Sequence, residues 1–168
     1  MNMARICFYG KFTGRGAEKA TVNLANLLSE SNVVHLLNNS VNGLTYSLSD
    51  KVRYQSVPYA SVPSIIKHLR QYLKDNSIDF LIAVESLTGI TALPAAIICH
   101  TKCIIWDHGN YYQNKTSSNM NAVRRLELLF CDAFVVLTKR DRELYLKHFS
   151  KIRTKLVRIY NSAELIPS

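Results

Sequence analysis

The sequence predicts a doubly wound α/β fold: a mainly parallel sheet with helices on both faces. Three features of the 168-residue chain carry that prediction. Short, nearly continuous apolar runs recur along it. Stretches with helical periodicity separate them. The first apolar run turns through glycines directly into a helix. Strands buried on both faces read as continuous apolar runs, and strand–helix alternation is how such sheets are connected. A chain of this length can bury the core of one domain.

Arg5–Tyr9 is apolar and β-prone and reads as the first strand. Gly10 to Gly16 is a loop that holds three glycines, with the cations Lys11, Arg15 and, just beyond, Lys19. Ala17–Glu30 reads as a helix, with Ala20, Leu24, Leu27 and Leu28 on one face. Val33–Asn38 is a strand. Ser40–Ser56 is polar and irregular, with Asn42-Gly43 as a turn signal, and ends in a short strand near Val52–Val57. Ser61–Asn76 is a helix with Pro63 in its first turn and Ile65, Ile66, Leu69, Tyr72 and Leu73 as its apolar face.

The second half continues the alternation. Phe80–Glu85 is a buried strand. Gly89–His100 is a helix of small residues in which Pro94 predicts an irregularity. Cys103–Trp106 is a strand, and Asn121–Cys131 is a helix with Val123, Leu126, Leu129 and Phe130 inward. Phe134–Leu137 is a strand, Lys139–Phe149 a short charged helix, and Leu156–Tyr160 the last strand. The chain carries neither an internal repeat nor a low-complexity segment.

The composition, 48% hydrophobic and 20% charged, is that of an ordinary soluble protein. No apolar run approaches the roughly 20 residues that span a bilayer. The N-terminal run is too short for a secretory signal. A cytoplasmic location is expected. Cys7, Cys99, Cys103 and Cys131 lie in or beside apolar runs and form no CxxC pair, so they read as buried thiols rather than metal ligands. Net charge is +9, and residues 102–158 hold 12 of the 21 Lys and Arg but five of the 12 Asp and Glu. Such a surface favours acidic partners. Basic strands interleaved with aromatics and a recognition helix are lacking, so nucleic acid is not expected.

In this fold class ligands bind at the carboxyl ends of the strands, near the reversal of strand order. The segments to examine are Gly10–Gly16, Glu85–Thr88, Asp107–Tyr112, Thr138–Arg140 and Asn161–Ser162. A strand that turns through glycines into a helix N-terminus favours an anion, and glycine admits a phosphate close to the backbone. The familiar fingerprints do not match. Lys19 stands where a dinucleotide motif needs its third glycine, and the second strand ends in Asn38-Asn39 without an acid for a ribose. There is no phosphate-loop motif and no G-x-S-x-G elbow. His108, directly after the Cys103–Trp106 strand, lies at the same sheet edge as the glycine loop. It reads either as a ligand-facing group or as a structural histidine. His35, His68, His100 and His148 lie within strands or on helices and read as structural.

Four segments together carry a resemblance. RGAEKATVNLANLL resembles the G-G-A-E-x5-L-A-x-x-L segment that opens retaining GT-B glycosyltransferases of family four. IIWDHGN resembles that family's strand ending in a histidine. CDAFVVLTKRDRELYLKHF resembles its aD-x-v-v-x-x-S/T segment, which contains Thr138. VRIYNSAEL resembles its v-i-y-N strand. The resemblance implies a Rossmann-like N-terminal, acceptor-side domain over 1–161, with 162–168 opening the linker to a C-terminal donor domain that is absent. It implies that Gly14, Arg15 and Gly16 meet the donor diphosphate and that His108 lies beside the transferred sugar as the catalytic residue. It further implies that Glu85, Asn110 and Tyr111 line the acceptor side and that Asn161 marks the linker.

The expected reaction is retaining sugar transfer from a nucleotide sugar to a glycan or lipid-linked acceptor, in surface polysaccharide or lipopolysaccharide synthesis. No metal is required, and this half alone is expected to be inactive. Arg15 departs from the family's first glycine, and a Glu-x7-Glu donor motif is lacking. Peripheral association with an anionic membrane is expected through Arg124, Arg125, Lys139, Arg140 and Arg142. The alternative reading is a non-enzymatic nucleotide- or phosphosugar-binding module.

Overall fold

The computed structural model describes residues 3–57, 61–85, 87–112, 118–149 and 155–161. Seven strands form one sheet: β1 (Arg5–Gly10), β2 (Val33–Asn38), β3 (Val52–Ser56), β4 (Phe80–Val84), β5 (Lys102–Asp107), β6 (Ala133–Val136) and β7 (Lys155–Arg158). Every pairing is parallel, and the order is β3-β2-β1-β4-β5-β6-β7. The chain first steps outward from β1 to β3. It then returns to lay β4 against the free side of β1 and continues in the opposite direction. The reversal places a crevice between the carboxyl ends of β1 and β4.

The five helices are α1 (Gly16–Leu28), α2 (Val62–Asp75), α3 (Gly89–Cys99), α4 (Ser118–Phe130) and α5 (Lys139–His148). Crossovers are right-handed, so the direction of stepping decides the face. Hence α1 and the 44–48 segment cover one face, over Phe8, Leu36, Val84 and Trp106. The other four helices lie on the opposite face over Cys7, Leu81, Ile105 and Phe134. In β3 only Val52 is buried, as befits an edge strand.

Two helices face differently from the sequence expectation. On α1, Leu27 is exposed, and the inner face is Glu18, Thr21, Val22 and Ala25, flanked by Ala20, Leu24 and Leu28. On α4, Leu126, Leu129 and Phe130 point to solvent, and Arg124, Glu127 and Leu128 point inward. The inward polar pair finds partners there: Arg124 Nη1 donates to the Tyr111 carbonyl at 3.2 Å, and Glu127 Oε1 accepts from the Leu87 N–H at 3.3 Å. Arg124 is fully buried, which removes it from the expected basic surface. Nor does Pro94 break α3. Its missing N–H costs one bond, to the Ile90 carbonyl, on the exposed side of the helix.

Candidate functional site

The glycine loop after β1 is held by a carboxylate from its own helix. Gly14 sits at φ +78, and a Cβ there would come within 2.9 Å of Thr45 Oγ1, so glycine is required twice over. The buried Glu18 accepts from the Gly14 N–H at 2.5 Å through Oε2, and from the Thr45 and Tyr46 N–H groups through Oε1. The protein therefore occupies part of the amide cluster that the sequence assigns to an external anion. What stays open lies above Gly16, where a Cβ would meet nothing within 4 Å. Arg15, exposed at the N-cap of α1, borders that opening.

The β4 end brings Glu85 to the same edge. Its N–H donates to the Trp106 carbonyl at 2.9 Å, and its φ is +69. Leu87 follows at φ +78. Two non-glycine residues in the left-handed region mark a strained turn, and such strain persists where surrounding contacts fix it. Burial raises the Glu85 pKa, Arg15 pulls it back and Asp107 pushes it up. Arg15, Glu85 and Asp107 thus share one electrostatic field, and the loops after β1, β4 and β5 meet.

At the β5 end, Asp107 is buried. Its Oδ1 accepts from the Gly109 N–H at 3.0 Å, and its Oδ2 from the Tyr145 hydroxyl at 2.6 Å. These bonds shape the turn that presents His108. The His108 ring packs on Trp106 with centroids 4.3 Å apart. Burial lowers its pKa to about 4, so the imidazole is neutral at physiological pH. Its Nε2 is buried with no hydrogen-bond partner among the described residues. An uncharged imidazole with a spare ring nitrogen can exchange a hydrogen bond with a ligand hydroxyl.

The other predicted residues divide. Asn110 is exposed, and its Oδ1 accepts from the Tyr112 N–H at 2.9 Å. Tyr111 does not line the site: it is 3% exposed, stacked on His148 and edge-on to Tyr145 and Phe149. It is apolar enough to pack, and its N–H is fixed by Asp141 Oδ1 at 3.1 Å. Tyr112, 42% exposed with Arg140 over its ring, faces outward instead. Thr138 caps α5: its Oγ1 accepts from the Asp141 N–H at 3.0 Å. It reaches the β5 loop only through Asp141. Asn161 is exposed at the end of the described chain, and the linker expected over 162–168 lies outside the described residues.

Sequence reasoning missed the support beneath these loops. Arg124 lies over the Tyr111 and Tyr145 rings, with its Cζ 5.1 and 5.5 Å from their centroids. Glu127 underpins the β4–α3 turn. A Cβ on Gly89 would collide with its carboxylate. Burial and then Asp107 raise the Glu127 pKa to about 7, against the Leu87 and Gly89 N–H groups and Arg124, which lower it. One helix thus holds the Glu85 turn and the His108 loop from residues one turn apart. Among the described residues, no three His, Cys, Asp or Glu side chains gather as a metal site.

The model of Glycosyltransferase Family 4 matches residues 14–165. The chain belongs to that family. It is 29% identical over 160 residues to a protein of Campylobacter jejuni, GalNAc-α-(1→4)-GalNAc-α-(1→3)-diNAcBac-PP-undecaprenol α-1,4-N-acetyl-D-galactosaminyltransferase, covering 89% of this chain and 44% of that protein. The chain therefore spans under half the length of that relative. Among solved structures, a glycosyltransferase from Rickettsia africae superposes with a TM-score of 0.77 at 16% identity, over 95% of this chain and 43% of its own. The lipopolysaccharide outer core galactosyltransferase WaaB in its apo form superposes with a TM-score of 0.72 at 14% identity, over 95% of this chain and 46% of its own. These likenesses establish the fold: the Rossmann-like half of a GT-B family 4 glycosyltransferase.

Proposed function

We propose that this family 4 chain is the acceptor-side domain of a glycosyltransferase that moves a sugar, with retention, from a nucleotide sugar to a glycan or lipid-linked acceptor. One observation carries the reading: the carboxyl ends of β1, β4 and β5 carry the open helix N-terminus at Gly16, the electrostatically coupled Arg15 and Glu85, and a neutral His108 with a spare nitrogen. Sugar transfer breaks a bond to a diphosphate while positive charge develops on the sugar ring. Groups placed where those charges form lower the barrier. Gly16 gives the diphosphate room at the positive end of α1, and Arg15 adds a cation. His108 exchanges a hydrogen bond with a hydroxyl of the transferred sugar. Glu85 and Asn110 face the acceptor. No metal enters this scheme.

The substrate of the Campylobacter relative is linked to undecaprenyl diphosphate, as its name states. That supports a lipid-linked acceptor and a role in surface polysaccharide or lipopolysaccharide assembly, at the inner face of the cytoplasmic membrane. In this reading, residues from 162 onward lead to a donor-holding domain, and the 168-residue chain alone transfers no sugar.

Ligand-observed NMR with UDP-, GDP- and ADP-sugars tests the reading on the purified chain, Gly16→Val and His108→Ala. Weak binding that Gly16→Val abolishes is expected. No response to any nucleotide sugar would remove the diphosphate site from this domain.

A further inference from the structure

A polar cleft of about 440 Å³ opens between the edge strand β3 and α2. Strand alternation turns Arg53 and Gln55 to the same side of β3. One stripe of α2, made of His68, Gln71, Tyr72 and Asp75, lines the cleft with them. It runs beside the buried stripe of Ile65, Leu69 and Leu73. Asn76 completes the lining, and its carbonyl accepts from Arg5 Nε at the start of β1. The cleft therefore lies toward the amino ends of the strands, whereas the crevice lies at their carboxyl ends.

The lining is held from behind. The Tyr72 hydroxyl shares a hydrogen bond with His35 Nδ1 at 2.8 Å, and His35 is fully buried. Asp75 Oδ1 accepts from Gln71 Nε2 at 2.7 Å. Two features of the lining stay unmatched. His68 Nε2 is buried with no hydrogen-bond partner among the described residues, although buried polar atoms are normally paired. Arg53 and Asp75 line the same cleft, yet no ion pair joins them. Arg53 is exposed, and its charge acts on both Tyr72 and His35. A cation and an acid held apart across one cleft favour a bridging molecule with an anionic end and a hydrogen-bonding body.

We infer that this cleft binds a carboxylated sugar of the uronic-acid class. The Arg53 guanidinium takes the carboxylate, which its planar fork fits with two parallel hydrogen bonds. The ring hydroxyls meet His68 Nε2, the Gln55 and Gln71 amides and the Asp75 oxygen that Gln71 leaves open, all groups that accept or exchange hydrogen bonds. A bare anion would offer Asp75 nothing, and a neutral sugar would leave Arg53 unused. The volume falls within the roughly 300–1,000 Å³ of small-molecule sites. None of these residues lies at the crevice, so the inference stands apart from the sugar-transfer reading.

Isothermal titration calorimetry of the 168-residue chain with glucuronate, glucose, acetate and serine tests it. Glucuronate should bind, and each of the others should bind at least about tenfold more weakly. Arg53→Gln should weaken glucuronate binding about tenfold, with an unchanged melting temperature because the residue is exposed on the edge strand. His68→Phe, which keeps a ring and removes its nitrogens, should weaken it several-fold. Gly16→Val, at the crevice, should leave it unchanged. Absence of glucuronate binding, equal binding of any of the other three compounds, or binding that both cleft variants leave unchanged would overturn the inference. So would glucuronate binding that Gly16→Val removes, because the carboxylate would then lie in the crevice. Nucleotide-sugar NMR on the same samples keeps the two readings separable: a silent titration with intact glucuronate binding refutes the diphosphate site alone.

Discussion

Gly14 and Gly16 look alike in the sequence and answer to different constraints. A side chain on Gly14 meets both a left-handed φ and Thr45. Gly14→Ala should therefore cost about 1–2 kcal/mol of stability, measured by urea denaturation. Gly16→Val projects into open space and should leave stability nearly unchanged while blocking the ligand. Glu127 makes a prediction in pH. Its folded pKa of about 7 lies above the ordinary 4.5. Between those values the folded chain keeps a proton that the unfolded chain has released, so this residue's contribution to stability falls as pH rises through the window. Glu127→Gln should then gain stability relative to the wild type from pH 5 to pH 8, by urea melts at both. Equal differences at the two pH values would refute a buried, proton-retaining Glu127.

Among the elements, the strands were legible because parallel strands are apolar on both faces and need no decision about orientation. The helices were legible as helices, but periodicity says which residues share a face, not which face is inside. On α4 the apolar stripe and the polar pair lie on opposite sides, and the hydrogen-bonding needs of the Tyr111 and Leu87 backbone turned the polar pair inward. The same limit hid Glu18. It was the resemblance that put Tyr111 at the site, and the structure packs it in the core instead. Positions directly after parallel strands lie at one edge by topology, and Gly16, Glu85 and His108 follow β1, β4 and β5 there. The residues that hold them, Asp107, Arg124, Glu127 and Asp141, come from other elements, and no spacing in the sequence links them. Arg124→Ala should cost on the order of 2–3 kcal/mol, since it empties a fully buried site and strips the Tyr111 carbonyl of its donor. Thr138→Ala should cost about 1 kcal/mol through loss of the α5 cap. Thermal and urea melts check both.

For the whole molecule, acid is the exposed weakness. His35 is held to about 4 by burial and then by Arg53 and Arg5; His108 is held to about 4 by burial. Between pH 6.5 and 4 the unfolded chain takes up these protons and the folded chain does not, so both residues lower stability as pH drops through that range. His108→Gln should lose less stability than the wild type over the same interval, measured by melting at each pH.

The central pair of strands has a consequence for how the protein is made. The Arg5 N–H, at the start of β1, donates to the carboxylate of Asp79, 74 residues away and just before β4. Closing so large a loop is slow, because its entropy is lost before the contacts form. A nascent chain that has emerged only through β3 has its glycine loop but no crevice. The two walls of the pocket are joined by the longest-range event in the sheet, so binding competence should arrive late and together with global folding rather than in stages.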